Sequence, residues 1–153
     1  MTWYELLLFV HVLGAAAWVG AVIFYVLTSE LALRAGDRGM VLKLIEYDDK
    51  IAPLLYIPAS LLVLAAGIGL TIDGPWSFGD GWIVVGLVIL FGTFVLGVAF
   101  MIPTAKKVKG AVDSTGLDSD AVGALLGRFR FLSWLDLALL VVAVFAMTVK
   151  PFA

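Results

Sequence analysis

One histidine, deep in an apolar stretch, has the clearest potential for chemistry in this chain. His11 is the only histidine among 153 residues. It follows Tyr4 by seven residues, which is roughly 10 Å along a helix. Ionisable side chains inside apolar spans are uncommon and are often functional, and neutral imidazole is a common ligand for haem iron. We therefore expect His11 either to bind a metal centre or to hydrogen-bond a neighbouring helix.

Aromatic residues recur with His11 at a spacing of seven. Tyr4, His11, Trp18 and Tyr25 form one helical stripe that drifts by only about 20° per step. Gly14 lies beside this stripe and leaves a groove into which the edge of a porphyrin could fit. Trp18 and Tyr25 are then predicted to line the pocket. The alternative is that the aromatic rings fill gaps in a bundle and the glycine allows close helix packing.

A second axial ligand for a haem at His11 has one candidate. Ligation by two histidines of one chain is excluded, since no second histidine exists. Met147 lies at a similar depth by residue counting, and methionine is a haem ligand in some proteins. Its alternative role is packing. A five-coordinate haem, or one shared across a homodimer, would also be compatible with the sequence.

Asp136 is the other ionisable residue within an apolar stretch. Its depth places it on the opposite side of the membrane from His11, so a direct pair is not expected. A charge pair or hydroxyl contact is the favoured role, with candidate partners Arg34, Arg128, Arg130, Tyr25 and Thr28. The alternative is a proton path, which would make the protein a proton-coupled small permease using Asp136 and His11.

Several chemistries are excluded by composition. The absence of cysteine removes disulfides, thiolate metal sites and thiol catalysis. Copper(I) sites use thiolates, clustered methionines or several histidines, whereas this chain has one histidine and four scattered methionines. The sequence contains no zinc signature or nucleophile–base arrangement. It also contains no basic patch with interleaved aromatics, so nucleic acid is not an expected partner.

The elements that hold these residues are apolar segments. Hydrophobic residues make up 63% of the chain and charged residues 14%, far from the balance of soluble domains. Each apolar segment is near the roughly 20 residues that a helix needs to cross a bilayer. The sequence therefore predicts an all-α fold, an up-and-down integral membrane four-helix bundle. It forms a single transmembrane domain over residues 1–153, with spans at about 3–27, 51–70, 82–102 and 131–148.

The basic residues predict an orientation in the membrane. The two loops after spans one and three contain nine of them, whereas residues 71–81 contain none. The positive-inside rule then places both basic loops in the cytoplasm and both termini outside, in an inner (plasma) membrane. Aromatic residues would lie near the outer surface: Trp3, Tyr4, Trp76, Phe78, Trp82 and Phe152.

Both basic loops are predicted to be partly helical. Asp37 could cap a helix that runs on into span two. Asp118, Ser119 or Asp120 could start a helix that continues into span four. Residues 110–116 are predicted to form a flexible turn between them.

A family resemblance rests on the first span. The stretch HVLGAAAWVG, from His11 to Gly20, resembles the first-helix motif of the copper-resistance protein D-like (CopD-like) superfamily. That superfamily includes the HemJ-type protoporphyrinogen oxidases. The ending Met147 to Pro151 is similar to that of an uncharacterised four-helix family within it. The resemblance implies that His11 is a ligand of haem b, but the chain lacks the HemJ-like pattern of basic residues after the first span.

These observations favour a redox function in the membrane. We expect haem b bound through His11, with membrane electron transfer or haem-linked chemistry involving a quinone or another lipid-soluble partner. A rival hypothesis is a non-catalytic accessory subunit of a larger membrane complex, docking through its small-residue faces. The proton-coupled permease is a third. The sequence leaves open whether the protein is an enzyme.

Overall fold

The fold is helical throughout the part of the chain that the structure describes. The computed structural model describes residues 1–151, and these contain no strand; the predicted outer aromatic Phe152 lies outside them. The predicted all-α four-helix bundle is confirmed. Its helices are α1 (Trp3–Arg34), α2 (Arg38–Ile51), α3 (Ile57–Asp73), α4 (Gly81–Val95), α5 (Ile102–Thr115) and α6 (Asp120–Val149).

Two pairs of these helices run on as continuous long helices. A π-helical turn at Ala52–Tyr56 joins α2 to α3, and another at Leu96–Met101 joins α4 to α5. With α1 and α6 they make four helices that are long and apolar enough to cross a membrane. Each exceeds its predicted span; the second, for example, covers Arg38–Asp73.

Prolines account for the two π-helical turns. Pro58 and Pro103 each lie in the first turn of the helix that follows. A proline has no N–H group, and its ring clashes with the carbonyl of the preceding turn. Widening that turn by one residue relieves the clash without ending the helix.

The ends of the helices at the basic loops follow the predicted caps. The Asp37 carboxylate accepts a hydrogen bond from a backbone N–H in the first turn of α2 (2.8 Å). The Ser119 hydroxyl accepts one in the first turn of α6 (3.3 Å). The predicted flexible turn over residues 110–116 is wrong, because α5 continues to Thr115. Gly116 alone ends it, with a φ of 82°.

The bundle has two dissimilar ends. We call the end with loops 35–37 and 116–119 the basic end. The opposite end, with the N-terminus and loop 74–80, is the aromatic end. The tight core lies towards the basic end and draws on α1, α2, α5 and α6. Its most deeply buried side chains are Val26, Ile45, Val108 and Val122.

Polar contacts join the loops at the basic end. The Arg38 guanidinium donates to the backbone carbonyls of Leu117 (3.2 Å) and Ser119 (3.1 Å). The Lys109 ammonium pairs with the Asp49 carboxylate and links α5 to α2. The start of α2 is therefore held against the connection between α5 and α6.

Packing towards the aromatic end is looser. Here α1 packs mainly on α3, and α4 packs mainly on α6. The buried cluster at the basic end includes no residue of α3 or α4. Space remains between the two helix pairs, and it forms an apolar cavity beside His11.

Candidate functional site: an apolar cavity beside His11

A cavity of about 630 Å³ runs from the aromatic end towards the middle of the bundle. Its walls come from α1, α3, α4 and α6, and loop 74–80 closes part of its mouth. The volume lies within the range of about 300–1,000 Å³ that is typical of small-molecule and cofactor sites. The lining is predominantly apolar, with few polar groups. The residues of chemical interest on it are Tyr4, His11, Trp18, Trp76, Trp82, Met147 and Lys150.

His11 is fixed by the backbone of the neighbouring helix. Its Nδ1 lies 2.8 Å from the carbonyl oxygen of Val63 on α3. A carbonyl oxygen can only accept a hydrogen bond, so Nδ1 must carry the proton. The lone pair of a neutral ring is then on Nε2. Metal-binding histidines commonly have this arrangement, in which the second ring nitrogen donates to a carbonyl or carboxylate.

Gly67 makes room for the imidazole on α3. A Cβ atom at this position would lie 3.1 Å from His11 Cε1 and 3.3 Å from Nδ1. With a side chain there the ring would have to shift by a few tenths of an ångström, which would disturb its hydrogen bond to Val63. The absence of a side chain at position 67 is therefore part of what positions His11.

Met147 lies on α6 in the wall of the same cavity. Its methyl group packs against Gly86 of α4, where a Cβ atom would overlap it. The structure therefore brings His11 and Met147 to one cavity, as their matching depths suggested. A thioether at this place is available as a weak ligand.

The stripe of Tyr4, His11, Trp18 and Tyr25 lies partly in the cavity wall and partly in the core. Tyr4, His11 and Trp18 line the cavity, whereas Tyr25 does not. Tyr25 lies in the core towards the basic end and makes an edge contact with Phe129, with ring centroids 6.3 Å apart. The drift of about 20° per heptad reaches about 60° over three steps, which turns Tyr25 away.

Gly14 also lies away from the cavity lining. It is buried between α1 and α3, where a Cβ atom would be 3.1 Å from a methyl group of Val63 and 3.4 Å from the Ala59 carbonyl oxygen. Its role is close helix packing rather than clearance for a macrocycle. The glycines that line the cavity are Gly20, Gly67 and Gly86, and none of them was predicted from the sequence to do so.

Asp136 and His11 are not brought together. Asp136 is half-buried and does not line the cavity. Two of its predicted partners, Arg34 and Arg130, instead bind Glu30. The hydroxyl of Thr28, a third candidate, donates to the Phe24 carbonyl.

The carboxylate of Glu30 binds both arginines and was not predicted from the sequence to do so. Arg130 Nη2 and Arg34 Nε each donate a hydrogen bond to Glu30 Oε1 at 2.9 Å. Arg130 Nε lies 2.7 Å from Glu30 Oε2 in the same ion pair. Trp134 Nε1 lies 3.5 Å away, and the Glu30 side chain is only 8% exposed. The spacing of four between Glu30 and Arg34 was readable in the sequence. The contact with Arg130 joins residues 100 positions apart, and it fastens α1 to α6.

Three residues surround the mouth of the cavity, and we call them the mouth cluster: Trp76, Trp82 and Lys150. The Lys150 ammonium lies 3.8 Å from the centroid of the Trp76 ring and 5.2 Å from that of Trp82. The two rings meet edge to face, 5.2 Å apart at 89°. This is cation–π geometry. The aromatic pair was predicted at this end, but Lys150 was not singled out.

The ligand inventory bears on which metal centre the cavity could hold. Within residues 1–151, no group of three or more His, Cys, Asp or Glu side chains could bind a bare metal ion. Haem supplies four nitrogen ligands of its own and needs only axial ligands from the protein. One histidine fixed through Nδ1 beside a large apolar cavity fits that requirement.

The fold and cavity thus define a four-helix integral membrane protein with a histidine held at a partly open cavity between its helices. The chain belongs to a family described as predicted integral membrane proteins (DUF2269), whose model matches residues 5–151. No curated protein and no solved structure matches the chain.

Proposed function

We propose that the protein binds haem b in the cavity through His11 and serves membrane electron transfer or haem-linked redox chemistry. The hydrogen bond between His11 Nδ1 and the Val63 carbonyl carries this proposal. It fixes the tautomer and the ring orientation that axial ligation through Nε2 would require. The resemblance of residues 11–20 to the first helix of the CopD-like superfamily, with its HemJ-type members, is a second support.

Different residues of the cavity would contact the iron and the macrocycle of the haem. His11 would supply an imidazole nitrogen to the haem iron, and Met147 would be the candidate for a second protein ligand. Trp18 and the aliphatic walls would contact the macrocycle and exclude water. Haem, when bound, supplies one-electron redox chemistry at iron, and methionine–histidine ligation is associated with a raised reduction potential.

A lipid-soluble partner could reach such a site from the side of the bundle. Several apolar residues line the cavity and are also more than one-third exposed, namely Leu8, Val12, Ile68, Phe78 and Val144. In a bilayer these surfaces would contact lipid, and a quinone dissolved there could approach without crossing water.

The proposed orientation follows from the charges. The basic end would face the cytoplasm and the aromatic end the outside of the plasma membrane, with both termini out. The mouth of the cavity would then open at the outer surface.

The test is a dithionite-reduced minus oxidised absorption spectrum of purified protein expressed with ample haem. We expect a Soret band and an α-band in the wild type, and their loss in His11→Ala. Asp136→Asn is the matched control, since it removes another intramembrane ionisable group outside the cavity lining, and it should keep both bands.

Two results would count against the proposal. A featureless wild-type spectrum would rule out haem as the ligand of the cavity. Bands of undiminished intensity in His11→Ala would show that the haem is held elsewhere.

A further inference from the structure

We infer that the mouth cluster is the carboxylate-binding end of the cavity, with Lys150 binding the acidic groups of the ligand. For haem these groups are the propionates. The inference rests on the proposed function, and it adds the orientation of the ligand, with its carboxylates towards the aromatic end.

The first observation is the placement of the Lys150 ammonium. It lies over the face of Trp76 and lines the mouth of the cavity. An ammonium group has three N–H donors, and one ring face cannot satisfy all of them. Within residues 1–151 no carboxylate forms an ion pair with Lys150. An anion bound at the mouth would accept hydrogen bonds from the remaining N–H donors of Lys150.

The second observation is the backbone of Lys150. Its φ is +50°, and it is the only non-glycine residue with a positive φ in the described part of the chain. Glycine is the usual residue in this left-handed conformation after a helix. Side-chain-bearing residues in such conformations concentrate at functional sites. Here the conformation ends α6 and leaves the ammonium over the two tryptophan rings.

The third observation is an indole N–H group without a partner. Trp82 is only 7% exposed and lines the cavity, and its Nε1 makes no hydrogen bond to any residue between 1 and 151. A buried donor left unpaired is costly, and a native structure usually satisfies it. Nε1 has almost no accessible surface, so it would donate to a ligand oxygen only after a small movement of the Trp82 ring, whereas Lys150 already lines the cavity.

The spacing along α1 agrees with a haem held at both places. The Tyr4 ring lies near loop 74–80, where it would contact a Cβ atom on Gly74 at 3.1 Å. His11 lies seven residues deeper, roughly 10 Å along the helix. This separation is comparable to the reach from the centre of a porphyrin to its propionate carboxylates.

The experiment compares two porphyrins on apo-protein in lipid nanodiscs. Haemin, with free propionates, and haemin dimethyl ester, with both esterified, are titrated while the Soret band is followed. We expect the wild type to prefer haemin by roughly 10- to 100-fold in Kd, as a charge-assisted contact implies. Lys150→Gln should abolish the preference, whereas Lys150→Arg should retain it.

Lys106→Gln is the matched control, because it removes an exposed lysine from the basic end. It should bind both porphyrins as the wild type does. Size-exclusion profiles and circular dichroism of every variant establish that each is folded.

The outcomes separate this inference from the proposed function. Equal affinity of the wild type for both porphyrins would overturn the inference and leave the haem site standing. A preference that survives in Lys150→Gln would also overturn it. If neither porphyrin binds to folded protein, the proposed function fails.

A final titration with oleate distinguishes a lipid carboxylate from the haem propionates. Lys150-dependent binding of oleate without porphyrin binding would support the carboxylate end and replace haem by an acidic lipid. Binding of neither class would overturn both proposals.

Discussion

At the scale of single residues, the orientation of the His11 ring in the cavity wall depends on its contact with the backbone of α3. One carbonyl, from Val63, orients the ring, and one missing side chain, at Gly67, lets the ring reach it. Residue counting from the sequence placed His11 and Met147 at similar depth, and the two do share a cavity. The partner on α3 could not be predicted, because the sequence does not show which face of a neighbouring span meets α1.

A methyl group at position 67 tests this arrangement. In Gly67→Ala the new Cβ atom would meet His11 Cε1 at 3.1 Å and push the ring from the Val63 carbonyl. We expect haem affinity to fall by about 10- to 100-fold, as is common when the group that orients a metal-binding histidine is disturbed. The measurement is a haemin titration of the apo-protein.

Gly92→Ala is the control for that variant, because no atom lies within 4 Å of a Cβ atom there. Its affinity should match the wild type. Unchanged affinity in folded Gly67→Ala would mean that the ring orientation does not govern binding.

At the scale of elements, the helices were predicted well from the sequence, but the π-helical turns that join α2 to α3 and α4 to α5 were not. The caps at Asp37 and Ser119 were readable because capping chemistry is local. Pro58 and Pro103 were not used in the prediction, and a proline in the sequence does not specify whether a helix kinks, ends or widens. The structure shows widened turns that carry both helices through.

Packing between α1 and α3 gives a prediction at this scale. Gly14→Val would force a branched side chain against Val63 and the Ala59 backbone. We expect a loss of about 1–3 kcal/mol in the free energy of unfolding, as overpacking of a tight contact costs. The measurement is denaturant unfolding in detergent micelles, followed by circular dichroism.

Gly92→Val introduces the same side chain where no neighbour lies within 4 Å, and it should cost far less. Equal losses in the two variants would show that the effect belongs to valine in the helix and not to the contact with α3.

At the scale of the whole molecule, the tightly packed core and the cavity lie towards opposite ends of the bundle. The buried cluster, the Glu30–Arg130 pair and the Arg38 contacts all lie towards the basic end. The cavity occupies the other end. Charge patterning predicted that the ends differ, but not that one is packed and the other hollow. The Glu30–Arg130 contact joins residues 100 positions apart, and a contact of that separation could not be predicted from charge patterning.

This asymmetry predicts unequal costs for the same substitution. Ile45 is 1% exposed within the core of the basic end, so Ile45→Ala should lower the free energy of unfolding by about 2–5 kcal/mol. Ile68 lines the cavity and is 39% exposed, so Ile68→Ala should lower the free energy of unfolding much less. Denaturant unfolding of both variants provides the comparison, and equal costs would contradict tighter packing at the basic end.

The hydrogen bond between His11 and Val63 has a consequence for proton movement. A histidine passes a proton on when one ring nitrogen accepts it and the other releases its own to a base beyond. Here Nδ1 faces a peptide oxygen, which is too weak a base to take a proton onward. A relay along α1 would have to break this hydrogen bond in every cycle. Any proton that accompanies an electron through this protein therefore needs a route that bypasses His11.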